Sequence, residues 1–297
     1  MFLTLGNNVI RNRVFDVDAN AFINAVGSLD GAQENAIQYL TVSLKEYNLW
    51  NKMTAIYPII GGTASSHGYN LKDPRNLDAA FRISFLGGGW THSATGAKGN
   101  GTSAYGNTFL TASTRLANNN VHLSYYSRTQ LQETSNIDFG AASGVGAPNI
   151  MSMSLPRATT NTASFIQGSN TAGVAVQVTG ITVTAAYYIG TRTASTIGSS
   201  ALFINGVLSA TSKSANTTGI LPTRPFYLNA LNNDAFATSP FYSAKECAFA
   251  SIGSGLTSND VSNLYRIVED YQSLLKRNVV NTSLIKIYDV QTIGDPS

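Results

Sequence analysis

Cleaving a glycosidic bond takes two carboxylates, one on each side of it and about 5–10 Å apart. This chain has 16 Asp and Glu in 297 residues from which to build such a pair. The closest acidic pairs are Asp16/Asp18, Asp73/Asp78 and Glu133/Asp138. Asp16 and Asp18 stand at the start of a helical pattern and read as capping residues. Asp73 precedes Pro74 and reads as turn chemistry. Glu133 and Asp138 are an odd number of residues apart, so a regular strand would point them to opposite faces. No catalytic residue is assigned, and the chain is expected not to be an enzyme.

Metal and nucleophile chemistry find as little. His67, His92 and His122 read as isolated in sequence, and no His-based metal spacing is present. His122 lies between apolar neighbours and reads as a packing residue. Cys247 is the only cysteine, so no intrachain disulfide forms, and its apolar surroundings suit a small buried hydrophobe. There is no Gly-x-Ser-x-Gly elbow. Lys98 is followed by Gly99 and Asn100, which is not a phosphate-binding loop. Residues 88–107 are the segment suited to a ligand. Trp90, His92, Asn100 and Tyr105 lie there in a Gly-rich setting, and a sugar is gripped by an aromatic platform plus amide and hydroxyl groups. The competing reading makes Trp90 a core or interface aromatic and the glycines turn residues. Tyr125 and Tyr126 are adjacent on a strand, so at most one is expected on an exposed face.

The elements that must position these residues are mainly β. Ala201–Thr211 alternates apolar and polar residues on both sides of Asn205-Gly206, a strong hairpin signal. Further strand-like runs recur every ten or so residues: 55–60, 81–85, 108–112, 121–128, 137–141, 150–155, 164–167, 174–188, 225–230 and 248–252. That spacing describes a β-sandwich. Pro58 places the first run at a sheet edge. Helices are expected near 18–26, from Asp30 with Gln33 at the capping-box position, and over 257–277 from Thr257 with Asp260 in the same role. Lys276 and Arg277 would suit the last helix's C-terminal dipole. The expected organisation is an N-terminal arm (1–17), a helical segment packed on the sandwich (18–52), the sandwich with its C-terminal helix (53–283), and a strand or tail (284–297).

Composition narrows the partners. Charged residues are 12% of the chain, the net charge is +3, and Lys and Arg are scattered. Without a clustered basic footprint no nucleic-acid partner is expected. No apolar run approaches the ~20 residues of a membrane span, and no signal peptide is read at the N-terminus.

The hairpin "LFINGVL", followed by "FASIG" and "GLTSNDVSNLY", resembles the C-terminal half of concanavalin A-like (laminin G-like) jelly rolls, over about residues 80–275. Jelly-roll glucanases carry Glu-x-Asp-x-x-Glu or Glu-x-Asp-x-Glu on one strand, and neither string occurs here. Lectin-like relatives often bind calcium. No motif here supports a metal, so no cofactor is assigned and calcium stays open. Four segments, "DANAFINAVGSLD", "KMTAIYPIIGGTASSHGYNLKDPRNLDAAFRISFLGGGWTHSATGAKGNGTSAY", "NNNVHLSYYSRT" and "ASIGSGLTSNDVSNLYRIVEDYQSLLKRNV", resemble bacteriophage virion proteins built around that fold.

The resemblance implies a two-sheet antiparallel jelly roll with N-terminal helices and one C-terminal helix. It also implies a structural protein exposed on a phage particle: a capsid decoration, head fibre or tail component, assembled in the host cytoplasm and carried in the virion. Its partners would be other virion proteins through the N-terminal arm and copies of itself, as in a trimer. The alternative is a receptor-binding protein recognising host-surface glycan through Trp90, His92, Asn100 and Tyr105. A polysaccharide-degrading enzyme is the third reading.

Overall fold

The computed structural model describes residues 15–144, 149–169, 174–217, 219–234 and 241–279. Most of the expected arm (1–17) and all of the expected strand or tail (284–297) lie outside them. The chain opens with α1 (Val17–Val26) and α2 (Gly31–Glu46). Then come β1 (Met53–Tyr57), α3 (Ala64–His67), β2 (Ser84–Leu86), β3 (Thr91–Ser93), β4 (Gly96–Lys98), β5 (Tyr105–Thr111) and α4 (Ala112–Arg115). β6 (Val121–Ser127), β7 (Phe139–Ser143), β8 (Asn149–Ser154), β9 (Ala163–Ser169), β10 (Val176–Val178) and β11 (Tyr187–Arg192) follow. β12 (Ser200–Ile204), β13 (Val207–Thr211), β14 (Pro225–Leu228), β15 (Leu231–Asn233), β16 (Glu246–Gly253) and α5 (Ser258–Leu274) complete it.

Local chemistry explains the helix ends. Asp16 caps α1, accepting from the Asp18 and Ala19 N–H groups, and Gly27 ends it in the left-handed conformation. Asp30 with Gln33, and Thr257 with Asp260, close capping boxes on α2 and α5. Asn205 and Gly206 both take positive φ (49° and 75°), the geometry a two-residue hairpin needs between β12 and β13.

The fold is a mainly β jelly-roll sandwich of two eight-stranded sheets. The first runs β13-β12-β11-β6-β16-β4-β3, with β1 also paired to β16. The second runs β10-β9-β8-β7-β14-β5-β2, with β15 paired to β7. Pairing is antiparallel throughout except for β15 on β7. The run over 174–188 is not one strand. It divides into β10 at the edge of the second sheet and β11 inside the first, because burial on different faces outweighs local apolar continuity. A short hairpin, β3–β4, lies in the Gly-rich segment that carries too little apolar content to read as strand.

Tyr57, Leu123, Tyr125, Phe139, Met153, Phe165 and Phe226 fill the space between the sheets. A second apolar layer holds α1, α2 and α5 on the outer face of the first sheet, where Phe22, Leu40, Leu44, Tyr126, Phe249 and Leu264 meet. Both faces of β6 are therefore covered. Tyr125 and Tyr126 are each fully buried, and neither reaches an exposed face. The second sheet differs, since no helix layer packs on its outer face among the described residues. β5 accordingly alternates between half-buried and buried positions along its whole length.

Arg277 ties the helix layer to the sandwich. It is 1% exposed. Its guanidinium donates to the carbonyls of Pro58, Ile59 and Ala248 at 2.7–2.9 Å and to Gln272 Oε1 at 2.6 Å. The expected role at the C-terminal dipole of α5 is thus replaced by a clamp on the loop after β1 and on β16.

Candidate functional site

The four residues singled out in 88–107 do not converge. Gly87, Gly88 and Gly89 all take positive φ, and a Cβ on Gly87 would lie 1.9 Å from the Ser103 carbonyl oxygen. Only glycine lets this loop rest on the following turn. It delivers Trp90, half-buried, to the open edge between the sheets. The indole Nε1–H donates to the Leu86 carbonyl at 3.1 Å. The ring meets Phe85 edge-on, with centroids 4.9 Å apart, and stacks on His92 at 5.9 Å.

His92 is not isolated, contrary to its spacing in sequence. Its Nδ1 lies 2.9 Å from Nδ1 of His67. The Gly62 N–H donates to His67 Nε2, so in the neutral ring the His67 proton sits on Nδ1 and is given to His92. His92 then carries its own proton on Nε2, which is buried without a partner among the described residues. Burial, reinforced by His92 and Arg277, drives His67 down to about 3, and burial lowers His92 as well. The pair is neutral, and its last donor, His92 Nε2–H, is buried on a ring that stacks on Trp90.

Asn100 serves the backbone. Its Oδ1 accepts the N–H groups of Thr102, Ser103 and Ala104 at 2.9–3.0 Å, and its Nδ2 donates to Ser103 Oγ. Tyr105 opens β5 and stacks on Tyr227 with centroids 4.5 Å apart and planes at 24°. Phe85 pairs with Gly106 and Leu86 with Tyr105, so Tyr105 faces away from Phe85 and out of the sandwich. Trp90 and His92 thus share one edge, Asn100 builds a turn, and Tyr105 belongs to a different surface.

That surface is the outer face of the second sheet, which has no helix layer on it among the described residues. Tyr227 pairs with Asn107 on one side and Gly140 on the other, which keeps it on the same face as Tyr105. Tyr242 stands close to both, and burial, with help from Tyr105, raises the phenols of Tyr227 and Tyr242. Gly140 is required here, since a Cβ would lie 2.6 Å from the Ser152 side chain and 3.0 Å from Leu231. Next to this aromatic group lies a cavity of about 210 Å³ with an apolar floor of Ile137, Ile150, Ile166, Leu231 and Phe241. A second cavity, about 200 Å³, adjoins it and shares Arg157, Ser164 and Gln177. From β5 to β10 the stripe crosses five strand spacings, roughly 24 Å at ~4.8 Å each. Sequence reasoning found Tyr105 but missed Tyr227, Tyr242 and Arg157. Tyr227 alternates with buried Phe226 and Leu228 in β14, the available signal for an outward aromatic.

Two buried constellations have the composition of catalytic groups. Glu133 and Asp138, expected on opposite faces, both reach Lys245 Nζ, at 2.6 and 3.2 Å. They meet because Glu133 lies in a loop and not in a regular strand. Ser243 Oγ, the Ala244 and Leu155 N–H groups and Asn136 Nδ2 donate to the remaining carboxylate positions. Ser251 Oγ lies 3.1 Å from His122 Nε2, and His122 Nδ1 donates to the Ser254 carbonyl. This is the connectivity of an activated hydroxyl, but Ser251 and His122 are 0% exposed beneath the helix layer. Cys247 is equally buried, and burial pushes its thiol up. Among the described residues no group of three or more His, Cys, Asp or Glu gathers as a metal site, and no helix is long and apolar enough to cross a membrane.

No protein-family model and no curated protein matches the chain. Solved structures do resemble it. A sialidase from Trypanosoma rangeli, in complex with a difluoro-KDN ligand, is 11% identical with a TM-score of 0.44, covering 78% of this chain and 39% of its own. Domain 4 of an extracellular GH43 arabinanase from Geobacillus stearothermophilus, in complex with arabinotriose, is 14% identical with a TM-score of 0.39, covering 72% and 98%. Botulinum neurotoxin type C, whose cell entry is dependent upon interaction with two ganglioside molecules, is 10% identical with a TM-score of 0.48, covering 74% and 52%. The chain spans about 39% of the length of the sialidase. The expectation that the chain is not an enzyme is withdrawn: sialidases and an arabinanase domain are among the structures it resembles, and no activity is assigned from them. At 10–14% identity the likeness extends to the β-sandwich architecture and to nothing finer.

Proposed function

We propose that this chain is a surface-exposed component of a bacteriophage particle whose jelly roll recognises host-surface glycan. The observation that carries the recognition half is the outer face of the second sheet, on which no helix layer packs among the described residues. There the stacked Tyr105–Tyr227 pair lies beside two adjoining cavities lined by hydroxyl, amide and guanidinium groups. Aromatic rings take the apolar C–H faces of a sugar, and such polar groups take its hydroxyls. This face lacks a helix layer because, among the described residues, the helices pack on the first sheet. The particle half rests on the four segments that resemble phage virion proteins, and the glycan-bound neighbours agree with the recognition half.

The test is a glycan array probed with the purified chain, with Tyr227→Ala and with Trp90→Ala. The expected result is that Tyr227→Ala loses at least tenfold in binding while Trp90→Ala retains it. Loss confined to Trp90→Ala would move the site to the sandwich edge, and binding by none of the three would end the recognition reading. Quantitative mass spectrometry of purified particles tests the particle half. Hundreds of copies would indicate a capsid-lattice component, a few dozen or fewer a fibre or tail, and absence would refute it.

A further inference from the structure

Among the described residues that line the outer-face groove, Arg157 is the one cation. Resting on the recognition reading above, we infer that the groove takes a sugar bearing a carboxylate, with Arg157 as the group that receives it.

Arg157 lines both cavities at the point where they join. Its guanidinium is held from behind, with Nε and Nη2 both donating to the Asn136 carbonyl at 3.2 and 2.9 Å. That leaves Nη1 without a hydrogen-bond partner among the described residues, on a group whose orientation is already set. No carboxylate forms an ion pair with Arg157 among those residues. Asp138, the acid acting on it through space, has its oxygens engaged by Lys245, Ser243, Asn136 and the Leu155 N–H. A partly desolvated, pre-oriented guanidinium with free donors matches a planar carboxylate. Around it stand groups suited to ring hydroxyls: Thr160 and Thr162 in one cavity, Ser164 and Gln177 in both. The apolar floor beyond them suits the C–H face of the same ring. A neutral sugar's hydroxyls can accept from these donors one at a time but offer neither a charge nor the paired oxygens of a carboxylate, which disfavours it relative to the acid.

The test uses the full chain against immobilised acidic polysaccharides, each printed beside its carboxyl-reduced, neutral counterpart. Binding to the acidic form is expected to fall at least tenfold on carboxyl reduction and at least tenfold in Arg157→Gln. Gln177 is exposed, so Gln177→Glu places a negative charge in the groove without disturbing the fold. It is expected to lose acidic binding to a similar degree, and it decides the matter if Arg157→Gln does not fold. Equal binding of acidic and reduced forms, unmoved by Gln177→Glu, overturns the inference and leaves glycan recognition standing. Absence of binding to every printed glycan, neutral ones included, overturns both.

Discussion

Acidification should unfold this protein through its buried histidines. His67 and His122 are each at most 1% exposed. Burial brings them from the usual 6.5 down to about 3 and about 4. At about 1.4 kcal/mol per pH unit, neutrality of the two rings is worth about 5 and about 3 kcal/mol against the fully protonated unfolded chain. Both folded values lie below the unfolded one, so this stability is whole above about pH 6.5 and drains as the pH falls towards 4 and 3. Glu269 works in the opposite direction. Its carboxylate is 7% exposed, no hydrogen bond reaches either oxygen, and burial raises it from 4.5 to about 7, with Tyr126 near enough only to moderate the rise. Its contribution is present below pH 4.5 and is lost as the pH rises through 7.

Between pH 6.5 and 4.5 the unfolded chain therefore binds about two protons at these histidines that the native chain refuses. The native chain binds about one at Glu269 that the unfolded chain lacks. The net is about one proton, a fall of about 1.4 kcal/mol per pH unit, or about 3 kcal/mol over the window. His92, half-buried, adds in the same sense. Out of a typical total of about 5–15 kcal/mol, that is a large share. Urea unfolding followed by tyrosine and tryptophan fluorescence at pH 7.5, 6.5, 5.5 and 4.5 measures it. Stability that is flat or increasing from pH 6.5 to 4.5 would refute the assignment of buried neutral histidines.

Glu269→Gln should stabilise the protein at pH 8 by up to about 3 kcal/mol and steepen the acid limb to about two protons, both read from the same titrations. Arg277→Met should cost about 3 kcal/mol or more, because the Pro58, Ile59 and Ala248 carbonyls lose their buried donor. Arg277→Lys should cost less than Arg277→Met yet remain destabilising, as shown by urea midpoints, since one ammonium cannot reach all three carbonyls.

The sequence by itself determined what is decided within a few residues of chain. Asp30 with Gln33 and Thr257 with Asp260 close capping boxes because each pair needs only one helical turn to meet. Asn205-Gly206 makes its hairpin because both residues tolerate positive φ whatever surrounds them. The ten-residue rhythm of short strands was legible for the same reason, and with it the sandwich.

Tertiary structure decided everything that depends on which faces meet. Residues 174–188 look like one apolar run, yet β10 and β11 enter different sheets. The helix layer covers the first sheet and, among the described residues, no helix layer packs on the second, so Tyr126 is buried while Tyr227 is only half-buried. His67 meets His92 across 25 positions, Glu133 and Asp138 share Lys245 across more than 100, and Arg277 crosses 218 to reach Ile59. Such contacts leave no mark in local periodicity. They form because a buried polar group must find a partner from whatever part of the chain the packed core brings within about 3 Å of it.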